Sequence, residues 1–283
     1  MRRLTGRYGL LLAFVSSLLL LTQAVSAVEL YRQGFETDIT DWQTLGSTAS
    51  MSRVASGTDG IMSNSGSYHS VINISSTWDG AYTFGDPPVD ETGVTRSTTA
   101  GQFFFGPGFA NYNGSVFEQH LSVYLGPDIG TVGDAWDMEV TCEDHNGDGG
   151  YGEFNFQGTK TSGGWQLGRN NTKYPIPGAG WYTLSTKWWE GASELFDEHY
   201  ISGPGGFYHS LGDMAGAQPS LDLSGSTAGY MWIFARSLEG NSLSLAIDDV
   251  SYAVTPEPAT MCLLGTGLVG LIGAAYRRKR RQG

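Results

Sequence analysis

Apolar side chains recur at every second position in several short segments of the chain. The rows are Leu121, Val123 and Leu125; Trp136, Met138, Val140 and Cys142; Phe154 and Phe156; Tyr182, Leu184, Thr186 and Trp188; Tyr230, Trp232 and Phe234; and Leu243, Leu245 and Ile247. A period of two places successive side chains on opposite faces of a β-strand, so that one face can be buried. The pattern predicts an all-β, two-sheet antiparallel sandwich with these rows in its core.

Turn-forming residues separate the alternating segments. The stretches SGPGG at 202–206 and GPGFANYNG at 106–114 have the composition of loops, and the chain holds 41 glycines. The sequence between the two ends shows neither a long helical period nor an internal repeat, which argues against a solenoid or a propeller.

The first 27 residues have the pattern of a secretory signal peptide. Arg2, Arg3 and Arg7 precede an apolar run of 12 residues, 10–21, and the small-residue site Val25-Ser26-Ala27 follows it. The run is short for a membrane span. We therefore expect export with cleavage after Ala27, and the alternative is an N-terminal membrane anchor.

A second apolar run lies near the other end of the chain. The 18 residues 259–276 contain no charge, and five basic residues, 277–281, follow directly. Such a segment is long enough to cross a hydrocarbon core as a helix, and the basic cluster should stay on the cytoplasmic side. We expect one transmembrane helix, with the body of the protein outside the cytoplasm.

The triplet Pro256-Glu257-Pro258 stands directly before this run. Triplet, glycine-containing span and basic cluster together resemble the PEP-CTERM sorting signal of Gram-negative bacteria. The resemblance implies recognition by an exosortase, a membrane-embedded cysteine transpeptidase-like enzyme, with processing near the triplet. It also implies an inner-membrane-tethered precursor and a final place at the cell surface or in an extracellular matrix with exopolysaccharide. The chain thus divides into a signal peptide (1–27), a β-sandwich domain (28–253) and a sorting tail (254–283).

The charge of the body excludes one class of partner. Residues 28–255 hold 8 Lys and Arg against 27 Asp and Glu, a net charge of −19. Such a body repels nucleic acid and anionic membrane surfaces, and it suits neutral sugars, cations or a basic partner. The body contains a single cysteine, Cys142, so it forms no internal disulfide. We expect Cys142 to be a buried, inert thiol.

Several patches resemble carbohydrate-binding sandwiches. The segments GFETDITDW (34–42) and LAIDDVSY (245–252) resemble the first and last strands of galactose-binding-type jelly-roll modules. The segments GRNNT (168–172), GWYTL (180–184) and IFARSL (233–238) resemble concanavalin-like sandwiches. Both resemblances imply a jelly-roll architecture and sugar binding, and the sequence does not choose between the two topologies.

Two groups of residues are candidates for a structural calcium ion. Asp144, Asn146 and Asp148 have the spacing of the first half of a calcium loop, and the alternative is a polar hairpin turn. In carbohydrate-binding jelly rolls, acids matching Glu36 and Asp248 often hold calcium between the first and last strands. The alternative for this pair is surface acids beside paired strands.

The chain has eight tryptophans, and we expect some of them in the core and others at a ligand-binding surface. The alternation assigns Trp136, Trp188 and Trp232 to the core. Trp189 and Tyr124 have the polar parity of their strands, which makes them candidates for stacking on sugar rings. Three further rings near loops are alternatives for this stacking: Trp42, Trp78 and Trp165.

No catalytic motif is visible in the sequence. A G-x-S-x-G elbow, an H-E-x-x-H zinc motif and a P-loop are all absent. We therefore expect an exported, non-enzymatic protein that binds or organises exopolysaccharide. The alternatives are a structural matrix subunit without a sugar ligand and a carbohydrate-active enzyme whose carboxylates are assembled by the fold.

Overall fold

The computed structural model describes residues 28–39, 42–83, 115–143, 151–190, 195–212, 229–240 and 242–256. Nearly all of them belong to one compact unit, Glu29–Val254. The predicted signal peptide and the predicted transmembrane segment lie outside the described residues. Among the residues that are described, no helix is long and apolar enough to cross a membrane.

The described part of the chain is built of strands, with two short 3-10 turns at Thr58–Gly60 and Pro204–Gly206. The strands are β1 (Val28–Gln33), β2 (Trp42–Leu45), β3 (Ser50–Ala55), β4 (Tyr68–Ile74), β5 (Gly80–Thr83), β6 (Ser115–Leu125), β7 (Ala135–Glu143), β8 (Tyr151–Thr161), β9 (Gly164–Arg169), β10 (Thr172–Pro175), β11 (Gly180–Glu190), β12 (Leu195–Gly203), β13 (Phe207–Gly212), β14 (Gly229–Ser237) and β15 (Leu243–Pro256).

The strands form two antiparallel sheets. The eight-stranded sheet has the order β13-β12-β11-β6-β15-β4-β3, with β1 also paired to β15, and the seven-stranded sheet has the order β10-β9-β8-β7-β14-β5-β2. Neighbours such as β6 and β15 are distant in sequence, as the Greek-key connections of a jelly-roll sandwich require. The predicted all-β, two-sheet sandwich is confirmed.

The core lies between the two sheets, and most of the predicted rows form it. The eight-stranded sheet contributes Ile72, Ile74, Leu121, Val123, Leu125, Tyr182, Leu184, Ile201, Leu243, Leu245 and Ile247. The seven-stranded sheet contributes Trp42, Ala81, Trp136, Met138, Phe156, Trp165, Leu167, Met231, Ile233 and Ala235. Alternation therefore predicted the buried face of β6, β11 and β15 correctly, because their other face is polar.

The prediction for β14 was wrong. Met231, Ile233 and Ala235 point into the core, so Trp232 and Phe234 lie on the outer face of the seven-stranded sheet. Both alternating sets of this strand are apolar, and the period alone does not say which one is inside. The larger aromatic rings suggested the wrong set.

Two of the three tryptophans expected near loops are core residues. Trp42 is 6% exposed and Trp165 is 1% exposed, and both pack in the central apolar cluster. Their positions at strand starts looked like loop positions in the sequence. Trp78 is the one that remains exposed, at 59%.

Candidate functional site

Three aromatic side chains form a stack on the outer face of the seven-stranded sheet, and we call them the aromatic platform. The Trp78 ring lies on Phe234 at 5.2 Å between ring centroids with an interplanar angle of 19°. Phe234 in turn lies 4.1 Å from Trp232 at 33°. Because Phe234 is only 2% exposed while Trp78 is 59% exposed, the indole of Trp78 presents a flat apolar surface to solvent.

The backbone around Trp78 is held in an unusual conformation. Trp78 has φ 69°, a left-handed value that bulky residues rarely adopt. Its N–H donates to the carbonyl of Ala235 at 2.7 Å, and the N–H of Ala235 donates to the carbonyl of Asp79 at 3.1 Å. The Asp79 carboxylate accepts from the N–H of Thr48 at 2.9 Å and from its hydroxyl at 2.6 Å. These bonds fix the ring on the sheet, and strain of this kind is found at ligand sites.

A polar row crosses the same outer face beside the platform. In the strand register Phe234 is opposite Asp137, Asp137 is opposite Gln157, and Gln157 is opposite Gly168. Lys173 of β10 is opposite Gly168 in its turn. Directly paired residues share one face of a sheet, so the row runs from aromatic to carboxylate, amide and ammonium across five strands.

Asp137 is the centre of this row. Its Oδ2 accepts hydrogen bonds from Arg236 Nη1 at 2.8 Å and from Gln157 Nε2 at 3.4 Å. Its Oδ1 is buried and has no hydrogen-bond partner among the described residues. Burial raises the pKa of Asp137, and the Arg236 guanidinium counteracts that rise. The contacts with Arg236 and Gln157 therefore fix the Asp137 carboxylate beneath the outer surface of the sheet.

Two basic side chains on this face, Arg236 beside Asp137 and Lys173 at the end of the row, differ in exposure. The Arg236 side chain is 52% exposed, so its guanidinium faces solvent beside the platform. The Lys173 ammonium donates to Thr159 Oγ1 at 2.6 Å, and burial lowers its pKa. The row therefore offers oriented donors and acceptors next to a flat ring. Sugars need this combination, since their C–H faces pack on aromatic rings while their hydroxyls form hydrogen bonds.

The sequence did not indicate these polar residues as a site. Asp137 and Glu139 are separated by one position in β7, so the alternation could have marked two carboxylates on one face. Arg236 is 99 positions away from Asp137 along the chain, and only the pairing of β7 with β14 brings it close.

The predicted stacking residues Tyr124 and Trp189 belong to the eight-stranded sheet. Tyr124 is half-buried on its outer face, opposite Trp181 in register, with the two rings edge-on at 5.5 Å and 70°. The indole N–H of Trp181 donates to the carbonyl of Met62 at 2.7 Å. Trp189 pairs with Val116 of β6, and its side chain lies outside the described part of the chain. Sugar stacking by Tyr124 and Trp189 stays a prediction.

Of the two calcium predictions, the pair Glu36 and Asp248 can be placed in the structure. The Asp248 carboxylate is fully buried and accepts the N–H groups of Asn64 at 2.9 Å, Ser65 at 3.1 Å and Asp249 at 2.8 Å. Burial raises the pKa of Asp248 to about 6, against the opposing effect of these hydrogen bonds.

Glu36 contacts the other end of the same loop, residues 63–67. Its Oε1 accepts the N–H groups of Ser67 at 2.9 Å and Tyr68 at 3.0 Å. The fold therefore directs both acids to one loop, as the prediction required. Their neighbours in these contacts are N–H donors, however, whereas calcium requires oxygen ligands. Calcium binding at Glu36 and Asp248 stays a prediction that this donor set does not favour.

The other calcium candidates, Asp144, Asn146 and Asp148, lie outside the described residues. In the part that is described, no group of three or more His, Cys, Asp or Glu side chains is arranged to hold a metal ion. The Cys142 side chain is also outside that part.

A buried polar chain inside the sandwich was not predicted. His199 Nε2 lies 2.6 Å from Asp197 Oδ2, and His199 Nδ1 lies 3.0 Å from the hydroxyl of Thr186. All three side chains are at most 2% exposed. A substrate in solution does not reach them, so we interpret the chain as a satisfied polar network of the core.

Comparison with solved structures yields matches to several sandwiches at low sequence identity. The CBM22-1–GH10 modules of endo-1,4-β-D-xylanase 10B from Clostridium thermocellum, complexed with xylohexaose, are 14% identical with a TM-score of 0.41, over 81% of this chain and 29% of that one. The C-terminal family 22 carbohydrate-binding module of the same xylanase is 14% identical with a TM-score of 0.37, over 80% and 94%. Peanut lectin is 8% identical with a TM-score of 0.43, over 81% and 98%. The chain spans less than a third of the first of these structures.

Comparison of the sequence itself identifies its tail. No curated protein matches the sequence. Residues 254–281 match the PEP-CTERM protein-sorting motif, which confirms the prediction made from Pro256, Glu257 and Pro258. The motif implies an exported protein that an exosortase processes. The chain is thus a jelly-roll β-sandwich that carries a PEP-CTERM protein-sorting motif.

Proposed function

We propose that the protein is exported to the cell surface or extracellular matrix and binds exopolysaccharide there without cleaving it. The binding site is the outer face of the seven-stranded sheet, at the aromatic platform and the polar row beside it. The observation that carries the proposal is Trp78, whose ring is 59% exposed although its backbone is fixed in a left-handed conformation. Strained backbone is found at ligand sites, and a flat ring that is both fixed and exposed is suited to stacking on a ligand.

The chemistry of the site supports a glycan. A sugar ring placed on Trp78 brings its hydroxyls toward the exposed guanidinium of Arg236, which Asp137 holds in place from below.

The test is a binding isotherm with the exopolysaccharide of the producing bacterium. We expect saturable binding by the wild-type protein and a loss of affinity of about tenfold or more in Trp78→Ala. Tyr208→Ala is the matched control, because Tyr208 is also an exposed ring, at 56%, but belongs to β13 of the other sheet. Equal affinity of Trp78→Ala and the wild type contradicts the proposed site.

The same samples separate the alternatives. A matrix subunit without a sugar ligand self-associates and shows no saturable binding. A carbohydrate-active enzyme releases reducing ends from the polysaccharide, and Asp137 and Glu139 would be the carboxylates to replace. Repeating the titration with a chelator tests the predicted calcium at Asp144, Asn146, Asp148, Glu36 and Asp248, since loss of affinity on chelation supports a structural ion.

A further inference from the structure

A groove lies on the outer face of the eight-stranded sheet, on the opposite side of the sandwich from the aromatic platform. Its volume is about 690 Å³, within the range of small-ligand sites. Its floor is the surface of β4, β6 and β15, where Val71, Tyr124 and Ala246 line it. Its walls are the loops 59–61 and 126–131, and Ser242 and Ser244 complete the lining.

The floor of the groove is apolar with an aromatic ring at one side. Val71 and Ala246 are paired across β4 and β15, and together they form a smooth surface. The Tyr124 ring stands beside them, with its orientation set by the edge-on contact with Trp181 at 5.5 Å. A flat C–H face can pack on such a floor.

The walls are braced from within the protein. The Lys160 ammonium, on a side chain that is 7% exposed, donates to the carbonyls of Gly126 at 3.3 Å and Pro127 at 2.7 Å. The carboxylate of Asp134 accepts the N–H of Thr131 at 2.6 Å. The loop that forms one wall is therefore held in place without a ligand, and a preformed site loses less entropy on binding.

The charged side chains that the structure places around the groove are carboxylates. Asp59 and Asp128 are exposed carboxylates at its walls, and Ser242 and Ser244 add exposed hydroxyls. Among the described residues that line the groove, none is Lys or Arg. This surface repels carboxylate- or sulfate-bearing chains, and it accepts hydrogen bonds from the hydroxyls of an uncharged glycan.

We propose that this groove is a second binding site for an uncharged polysaccharide. One protein molecule then bridges two polysaccharide chains through sites on opposite faces of the sandwich. The inference rests on the proposed function, because it takes the aromatic platform as the first site. A protein with two such sites cross-links polysaccharide chains. Its overall affinity for the polysaccharide is then higher than the affinity of either site alone, because binding is multivalent.

The experiment uses the full-length protein and the producer's own polysaccharide, separated by anion exchange into neutral and anionic fractions. Ser242→Tyr obstructs the groove from an exposed position, and Trp78→Ala removes the first site. Ser162→Tyr is the matched control, because it makes the same substitution on the exposed turn between β8 and β9, and Ser162 belongs neither to the lining of the groove nor to the platform. Thermal unfolding of each variant checks that it is folded.

Calorimetry with oligosaccharides cut from the neutral fraction measures the number of sites. We expect two per molecule for the wild type and Ser162→Tyr, and one for Ser242→Tyr and for Trp78→Ala. Light scattering with the intact neutral polysaccharide measures bridging. The scattered intensity should rise and then fall as the concentration of the wild-type protein increases. It should stay at baseline for Ser242→Tyr and for Trp78→Ala.

The outcomes separate the two proposals. One site per wild-type molecule, with no effect of Ser242→Tyr, overturns the second site and leaves the platform intact. A Ser242→Tyr effect seen only with the anionic fraction also overturns it. The absence of any saturable binding by the wild type overturns the proposed function together with the inference.

Discussion

Trp78 combines an exposed ring with a backbone conformation that only glycine adopts without cost. With φ 69°, any residue with a Cβ at this position is strained by about 1–2 kcal/mol. The strain is balanced by the stack on Phe234 and the two hydrogen bonds with the β14 backbone. Any stabilisation that tryptophan provides over glycine at this position therefore comes from its side chain.

We predict that Trp78→Gly is more stable than Trp78→Ala by about 1–2 kcal/mol in the free energy of unfolding, measured by urea denaturation. Both variants lack the ring, so the difference reports only the backbone. At Ser52, an exposed residue within β3, the same pair of substitutions should give the opposite order, because glycine weakens a strand. Equal free energies of unfolding for Trp78→Gly and Trp78→Ala would contradict backbone strain at this position.

Asp248 is a carboxyl group whose protonation is linked to folding. Its pKa is raised by burial from 3.8 to about 6, so between these values the folded state holds a proton that the unfolded state has lost. The contribution of this group to stability is thus fully present below about pH 4 and is lost as the pH rises through about 6.

We predict that the stability of the wild type relative to Asp248→Asn falls by about 3 kcal/mol between about pH 4 and pH 7, since each pKa unit corresponds to about 1.4 kcal/mol. Denaturation of both proteins across this range measures the difference, and the effects of carboxylates that do not interact with Asp248 cancel in it. A difference independent of pH contradicts the assigned pKa.

At the scale of elements, the loop 63–67 is folded over the eight-stranded sheet by carboxylates from both ends of the body. Asp248 and Glu36 accept its backbone N–H groups, and Asp249 accepts the side chains of Asn64 at 2.7 Å and Ser65 at 2.5 Å. The loop thereby connects the segment after β1 with β15. These hydrogen bonds orient the loop, whose five residues carry no apolar side chain.

We predict that Gly66→Ala lowers the free energy of unfolding by about 1–3 kcal/mol. Gly66 has φ 61°, and a Cβ there would lie 2.2 Å from Glu36 Oε1, so the substitution displaces the Glu36 carboxylate from the loop. Gly205→Ala is the matched control, because Gly205 also has a left-handed φ, 69°, and a Cβ there would meet nothing within 4 Å. If both substitutions have the same effect on the denaturation midpoint, Glu36 does not hold the loop.

At the scale of the whole molecule, the acidic sandwich and the tail have different roles. The motif in the tail implies exosortase processing of an exported protein, and the two outer faces of the sandwich are the surfaces to which we assign ligand binding. A net charge of −19 over residues 28–255 makes such molecules repel one another, which opposes self-association at low ionic strength.

We predict that the exported protein lacks the residues beyond about Pro258, which intact-mass spectrometry measures directly. Replacing Pro256, Glu257 and Pro258 by alanine should leave the whole tail in place, because two prolines keep the segment extended for a processing enzyme. A control with alanine at Ser251 should be processed normally. A wild-type protein of full mass after export contradicts processing.

The sequence by itself determined the fold class and the sorting motif of this protein. Strict alternation in β6 and β15 predicted a half-buried sheet, because a polar second face leaves only one way to orient a strand. The sorting motif was also visible, since triplet, span and basic cluster are contiguous in the chain and need no fold to be recognised.

Only the tertiary structure decided which surface is the candidate site. In β14 both faces are apolar, so the register alone placed Met231 and Ile233 inside and Phe234 outside. The same register put Phe234 opposite Asp137, about a hundred positions away in sequence. Local patterns report whether a side chain is buried, but the assembly of a site depends on which strands pair.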